Sequence, residues 1–254
     1  MALPETLLPA LGSQYPSRPR IIYLLSKRHE ASAEAFAAAV GAWRRAQSFG
    51  VEAGAVIARA GVAIAERDDV AARFGPAGSE VTGIDGYVSL ELESYAASEA
   101  DFDALFAAVQ GCLDPLDAVV DRAASIALAG VGLLPIPGYA PLSMILVLDR
   151  PAGMTHLQYN TWWVHHGFDH RRGFPAQAGY HQLHNDPAFN ARAAQAAGTT
   201  TTDMCITDIM YLGDLGDAFA SVIDRNSEDG RAVSADIGAH VSVTKVLGSL
   251  FQEV

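Results

Sequence analysis

Leu142–His184 reads LSMILVLDR, then PAGMTHLQYNTWWVHHGFDHRRG, then FPAQAGYHQLH, and this order of elements decides the fold. Leu142–Leu148 is an apolar run closed by Asp149, Arg150 and Pro151, which predicts a buried strand. Thr155 is a natural N-cap and predicts a helix over Thr155–His166 rich in aromatic residues. Glycine and proline punctuation leads into a second strand at Ala178–His184. Six of the eight histidines lie between His156 and His184, and Trp162 and Trp163 are adjacent. Chemistry, if there is any, is expected here.

Working outward, the residues after His184 predict a loop with short helical character (Pro187–Ala197) and a polar run (Gly198–Asp203). A strand at Met204–Leu212, a helix at Leu215–Arg225 and a last strand at His240–Leu247 follow. Upstream, Pro135–Pro141 (PIPGYAP) reads as the junction between two halves. Before it come a strand at Ile21–Ser26, a helix at Ala33–Ala46 capped by Ser32, and a strand-like run at Ala55–Ala65. A polar loop at Asp68–Gly78 leads to the alternating strand Tyr87–Glu93, a long amphipathic helix over Ser98–Val120, and a strand at Ser125–Leu134. Residues 1–19 hold four prolines and read as an arm over the surface or over a partner subunit.

Each half therefore reads β-α-β-β-α-β, with helices on one face of a sheet and the other face bare. Similar spacing in both halves suggests an internal duplication. The bare faces have to be buried, most economically against each other. The expected class is α+β: two halves, 20–135 and 136–254, packed sheet to sheet as a pseudo-dimer around a barrel-like core.

Half of the 254 residues are apolar and 18% are charged, enough for a real core. A net charge of −12 repels nucleic acid and anionic membrane alike, so neither is expected as a partner. No apolar run approaches the roughly 18 residues of a membrane span. The N-terminal MALPETLLPALGSQYPSRPR lacks the basic and apolar regions of a secretory signal. Cys112 and Cys205 lack metal-ligand spacing and read as buried small hydrophobes in a reducing compartment, so a cytoplasmic location is expected.

Helical spacing puts Tyr159, Trp162 or Trp163, His166 and His170 on one stripe, with His165 one step round. Such a stripe against a sheet makes an aromatic-walled cleft with an imidazole at one end, able to move protons near neutral pH. The blander reading is core aromatics with histidines capping a helix C-terminus. His166 and His170 are four apart, as metal ligands can be, but no H-E-x-x-H pattern accompanies them and no metal is assigned. On the strands, Tyr180, Gln182 and His184 share one face; Asp208 lies with Ile206 and Met210, and Tyr211 opposite. No phosphate loop, dinucleotide fingerprint or nucleophile elbow is present.

The run Asp149–Phe168 with Phe174–Gln182 resembles the EthD family of dimeric α/β-barrel (ferredoxin-like) proteins. Gly153-Met154-Thr155, Tyr159, Trp163, His166-Gly167, and Pro175 with Tyr180 stand at its motif positions. Phe168 replaces the family's usual proline. Trp-to-His spacing fits Trp162 with His166, whereas the helix start favours Trp163, so His165 and His166 are both kept. Thr207–Asp214 resembles the family's third strand, with Asp208 at its acidic position, and Ile84–Ser94 resembles the same strand in the first half. No first-half histidine matches His166.

The resemblance implies a cofactor-independent enzyme acting on an aromatic or polyketide-like small molecule. The expected chemistry is of lyase, dehydratase or cyclase type, with His166, Tyr180 and Asp208 catalytic. Tyr159, Trp162, Trp163, His165, His170, His184 and Tyr211 are the expected substrate contacts. The alternatives are a cofactor-free monooxygenase of a phenol, a binding protein without turnover, and a haem protein using His166 or a neighbour as axial ligand. Further homodimerisation of the fused pair is also allowed.

Overall fold

The computed structural model describes residues 3–47, 49–51, 54–64, 80–82, 84–93, 97–169, 177–214, 227–241 and 245–254. The strands are β1 (Ser17–Lys27), β2 (Phe49–Val51), β3 (Gly54–Ala63), β4 (Glu80–Thr82), β5 (Gly86–Leu92) and β6 (Val120–Ile136). After the junction come β7 (Leu142–Leu148), β8 (Gln177–Asn185), β9 (Thr200–Thr201), β10 (Ile206–Leu212) and β11 (Lys245–Glu253). The helices are α1 (Leu8–Leu11), α2 (Ala33–Ala46), α3 (Glu99–Ala108), α4 (His156–Asp169), α5 (Pro187–Ala197) and α6 (Glu228–His240).

Eight strands pair in the order β3-β5-β1-β6-β8-β10-β7-β11, and β11 pairs back onto β3. Every one of these pairings is antiparallel, so the sheet closes into an eight-stranded barrel. Counted within each half, both four-strand runs have the order second, third, first, fourth. This is a mixed α+β protein with helices packed outside the barrel.

Closure explains the sequence of β7, which is buried at all seven positions. Leu142, Met144, Leu146 and Leu148 pack under the helices of the C-terminal half, while Ile145 and Val147 face the lumen with Ile22, Leu24, Leu128, Leu183 and Ile209. The alternating strand Tyr87–Glu93 is likewise buried on both sides over Gly86–Leu92, because its "polar" face is the lumen.

Local signals set several boundaries. Ser32 caps α2 by accepting the Ala35 N–H at 3.1 Å. Thr155 and Gln158 form a reciprocal cap on α4, with Thr155 N–H donating to Gln158 Oε1 (2.9 Å) and Gln158 N–H to Thr155 Oγ1 (3.2 Å). The helix expected to run to Val120 stops at Ala108, because Gly111 takes φ 65° and Pro115 opens a short 3₁₀ turn.

Pro187–Ala197, expected as a loop with short helical character, is a full helix, α5, capped by Asp186 and closed by left-handed Gly198. It packs across the junction, with Phe189 against Phe102 at a 4.6 Å ring separation. The arm lies over its own chain: Leu7 and Ala10 are buried, and Asn160 Nδ2 donates to the Thr6 carbonyl at 2.8 Å. His240 ends α6 rather than opening the last strand, which starts at Lys245. The expected helix Leu215–Arg225 and loop Asp68–Gly78 lie outside the described residues.

Gly130 sits where β6 meets β8. A Cβ there would stand 1.9 Å from the His184 carbonyl oxygen and 2.7 Å from Asn185 Cα. Gly130→Ala should therefore lower stability by about 1–3 kcal/mol, read from the urea midpoint at unchanged m-value. An unchanged midpoint would mean that the two strands do not approach this closely.

Candidate functional site

Helix α4 lies along the outer face of the C-terminal half of the barrel. Tyr159 and Trp163, four apart, are buried in the same apolar cluster as Tyr180 and Met210. His166 is 2% exposed and His165 is exposed, so His166 is the inward imidazole. Its ring stacks on Trp163 (centroids 4.9 Å, 13°) and lies 5.1 Å from Trp162.

The carboxylate that orients this imidazole is Asp236 of α6. His166 Nδ1 is 2.6 Å from Asp236 Oδ2, and the Trp162 indole donates to Oδ1 and Oδ2 at 3.1 and 3.2 Å. His240 Nδ1 reaches Asp236 Oδ1 at 3.0 Å, and its ring stacks on Trp162 at 4.8 Å. Burial pulls the Asp236 carboxyl upward, but the hydrogen bonds from His166 and Trp162 outweigh it and hold the group below the usual range. Asp208, the carboxylate expected from sequence among the catalytic residues, lies elsewhere.

Asp208 belongs to a buried relay on β8 and β10. It stands opposite Gln182 in the strand register and accepts hydrogen bonds from the Tyr180 hydroxyl and the Ile209 N–H. Gln182 Nε2 donates to the Trp163 carbonyl (3.0 Å) and to the Tyr180 oxygen (3.1 Å). That leaves Gln182 Oε1 to accept from His184 Nε2 at 3.1 Å, which places the His184 proton on Nε2. Burial pushes Asp208 up to about 7, its two hydrogen bonds notwithstanding. Burial and neighbouring His156 hold His184 down at about 3, so it is neutral.

Among the described residues, Tyr159 Oη, Trp163 Nε1, Asp208 Oδ1 and His184 Nδ1 are buried in this layer with no hydrogen-bond partner. Such groups are rare in native interiors and mark places where a water or ligand belongs. The structure thus brings Tyr159, Trp163, Tyr180, Asp208 and His184 together beneath α4, with His166 and Trp162 towards α6. Tyr211 is not among them. It projects into the lumen on the opposite face of β10, and its grouping with the other substrate contacts is corrected. His165 is turned to solvent. His170 lies outside the described residues.

No protein-family model matches the chain, and no curated protein matches it by sequence. Solved structures do. A putative monooxygenase from Lactobacillus acidophilus shares 8% identity over 93% of this chain and 94% of its own, with a TM-score of 0.54. A dye-decolorizing peroxidase from Bacteroides thetaiotaomicron shares 8% identity over 95% and 94%, at a TM-score of 0.41. A dye-decolorizing protein from V. cholerae shares 11% over 96% and 95%, at 0.42. These neighbours are dimeric α/β-barrel-type proteins with a closed antiparallel barrel, and at such identities the likeness is one of fold.

The comparisons overturn one expectation. Dye-decolorizing peroxidases bind haem, so the expectation that no cofactor is used is withdrawn. Whether haem suits this chain turns on its own residues, and those described do not fit it. Gly167 lies so close to β8 that a Cβ would stand 2.5 Å from Gln182 Nε2, and His166 is stacked on Trp163. At Gly167 the helix touches the Gln182 side chain, which leaves no room at that point for a macrocycle the size of haem. Among the described residues no three potential ligands group as a metal site, and no helix is long and apolar enough to cross a membrane.

Two outcomes follow. Because the folded Asp208 pKa lies above the usual value near 3.9, the native state holds an extra proton between that value and about 7, so this group's contribution to stability falls as pH rises through that window. Asp208→Asn removes the effect, and its stability relative to wild type should improve by about 2–4 kcal/mol between pH 4 and pH 8 in urea unfolding. A pH-independent difference would contradict the shift. Titrating purified protein with haemin should give no stoichiometric Soret band that is lost in His166→Ala; such a band would reverse the misfit.

Proposed function

We propose that the chain is an enzyme acting on a hydrophobic aromatic or polyketide-like small molecule held between α4 and the C-terminal sheet. The observation that carries this reading is the Asp208 carboxyl, pushed to about 7 with Oδ1 unpartnered beneath Tyr159 and Trp163. An acid poised near neutrality and an imidazole fixed by a carboxylate are the two halves of acid–base chemistry. His166, oriented by Asp236, takes a proton from substrate carbon. Asp208, backed by Tyr180, gives one to the leaving oxygen. Together these steps make an elimination of lyase or dehydratase type, in which the C–H and C–O bonds break, a C=C bond forms and the oxygen leaves as water or an alcohol. Tyr159, Trp162 and Trp163 supply the aromatic walls.

The repeated strand order supports reading the chain as two fused ferredoxin-like halves, 20–135 and 136–254, behind an arm at 1–19. The C-terminal half is then the EthD-like one and holds the site. Free, buried Cys112 and Cys205 suit a reducing, cytoplasmic setting. Homodimerisation of the fused pair is kept as part of this reading.

A second reading, binding without turnover, draws on the ring packing. Trp162 and Trp163 both lie against His166 and shield it. A panel of hydroxylated aromatic and polyketide-like compounds separates the two. The enzyme reading expects turnover that falls about 10²–10⁴-fold in His166→Ala, with a smaller loss in Asp236→Asn and native far-UV circular dichroism in both. Compounds that bind tightly, are not converted, and bind His166→Ala equally well would establish the second reading instead.

A further inference from the structure

The lumen holds a second polar cluster that the acid–base site leaves unused. The alternation that turns Tyr180 and Asp208 outward turns His181, Tyr211 and Ser143 inward. Arg20 of β1 lies fully buried among them. Its Nε donates to Ser89 Oγ at 2.9 Å, Nη2 donates to the Tyr211 oxygen at 3.3 Å, and Nη1 lies 3.4 Å from His181 Nδ1. A guanidinium only donates, so His181 Nδ1 accepts and the ring proton is on Nε2. Tyr139, His181 and Tyr211 meet edge to face, with centroids 5.0, 5.0 and 4.9 Å apart. Arg59 of β3 caps this box, its guanidinium carbon 3.2 Å from the Tyr139 ring centroid.

Charge in the cluster does not balance. Arg18, Arg20 and Arg59 face the carboxyls of Glu91 and Glu253. Arg18 Nη1 takes Glu91 Oε1, Arg20 stands 3.7 Å from Oε2, and Arg59 Nη1 is 4.0 Å from Glu253 Oε2. Glu253 is engaged by Ser143 Oγ (2.6 Å) and the Tyr87 hydroxyl, and burial raises its pKa. Burial and the three guanidiniums hold His181 neutral. Among the described residues turned into the mouth the guanidiniums outnumber the carboxyls three to two, and the third carboxyl acting on Arg18, that of Glu93, is exposed to solvent.

Hydrogen bonds are also unbalanced, on the donor side. Among the described residues Arg18 Nε and Arg59 Nε are buried with no hydrogen-bond partner, and His181 Nε2 has none of good geometry, although the Gly138 backbone lies within hydrogen-bonding reach of its ring. The Arg18 and Arg59 side chains are 15% and 25% exposed, so the cluster reaches the barrel mouth. Surplus cationic donors beside a wall of phenol and imidazole rings call for a planar anion.

We propose that this mouth of the barrel binds a small aromatic carboxylate, its oxygens taken by Arg18, Arg59 and His181 and its ring by Tyr139 and Tyr211. The site is separate from the His166 face and does not depend on the acid–base reading. Isothermal titration of the full chain with benzoate, and with benzamide as its neutral counterpart, tests it. Benzoate should bind saturably and benzamide at least tenfold more weakly. Arg59→Gln should lose at least tenfold in benzoate affinity, whereas His166→Ala should bind it like wild type. If Arg59→Gln does not fold, Arg59→Lys keeps the charge but lacks the Nε–H and the planar stack, and should lose at least threefold. No saturable benzoate binding at low millimolar concentration, equal binding of benzamide, undiminished affinity in the Arg59 variant, or loss of binding in His166→Ala would each overturn the proposal.

Discussion

The pairing of β11 with β3 is the constraint on which the structure depends. Three residue pairs, Phe251 with Ala63, Gln252 with Val62 and Glu253 with Gly61, join the last strand of one half to an early strand of the other. Without them the sheet would have two bare edges and an exposed inner face, the arrangement that invites aggregation. With them β5, β7 and β10 are buried at every position. Gly61 makes the seam tight, since a Cβ there would stand 2.6 Å from the Tyr87 ring and 3.0 Å from Phe251 Cβ.

Closure divides the molecule into two compartments separated by the thickness of a strand. On β8, Tyr180, Gln182 and His184 face α4, while His181 faces the lumen. The outer compartment holds one acid poised near neutrality and an imidazole–carboxylate pair. The inner one holds guanidiniums and phenols. Neither is favourable to bury. Charged groups in such places are weak contributors to net stability, yet removing one partner leaves its mate uncompensated and costs several kcal/mol. Their presence where leucine would pack is the physical ground for proposing a ligand in each compartment.

Much of the fold was legible in the chain. Leu142–Leu148, Ser32 before Ala33–Ala46, and Thr155 with Gln158 carry period, cap and breaker signals that tertiary contacts did not override. The strand parity of Tyr180, Gln182, His184 and Asp208 was equally readable. Asp236 was not. Its helix contains Gly230, Ser234 and Gly238, poor helix formers with few apolar neighbours, and its partner His166 is 70 residues away in sequence. Pairing them needs the packing of α6 against α4, which no local pattern encodes. The lumen arginines were hidden for a similar reason: Arg18 and Arg20 follow a proline-rich arm, and only barrel closure turns them inward. The end of α3 was a readable miss, since Gly111 and Pro115 stood in plain view.

Both compartments turn on where three imidazoles carry their protons. A long-range proton–nitrogen correlation spectrum of histidine-labelled protein at neutral pH reads this directly. The structure predicts neutral His181 and His184 with the proton on Nε2, and a His166 proton on Nδ1 whose resonance moves in Asp236→Asn. A charged His181, a His184 protonated on Nδ1, or a His166 signal indifferent to Asp236 would contradict the division of the barrel into these two sites.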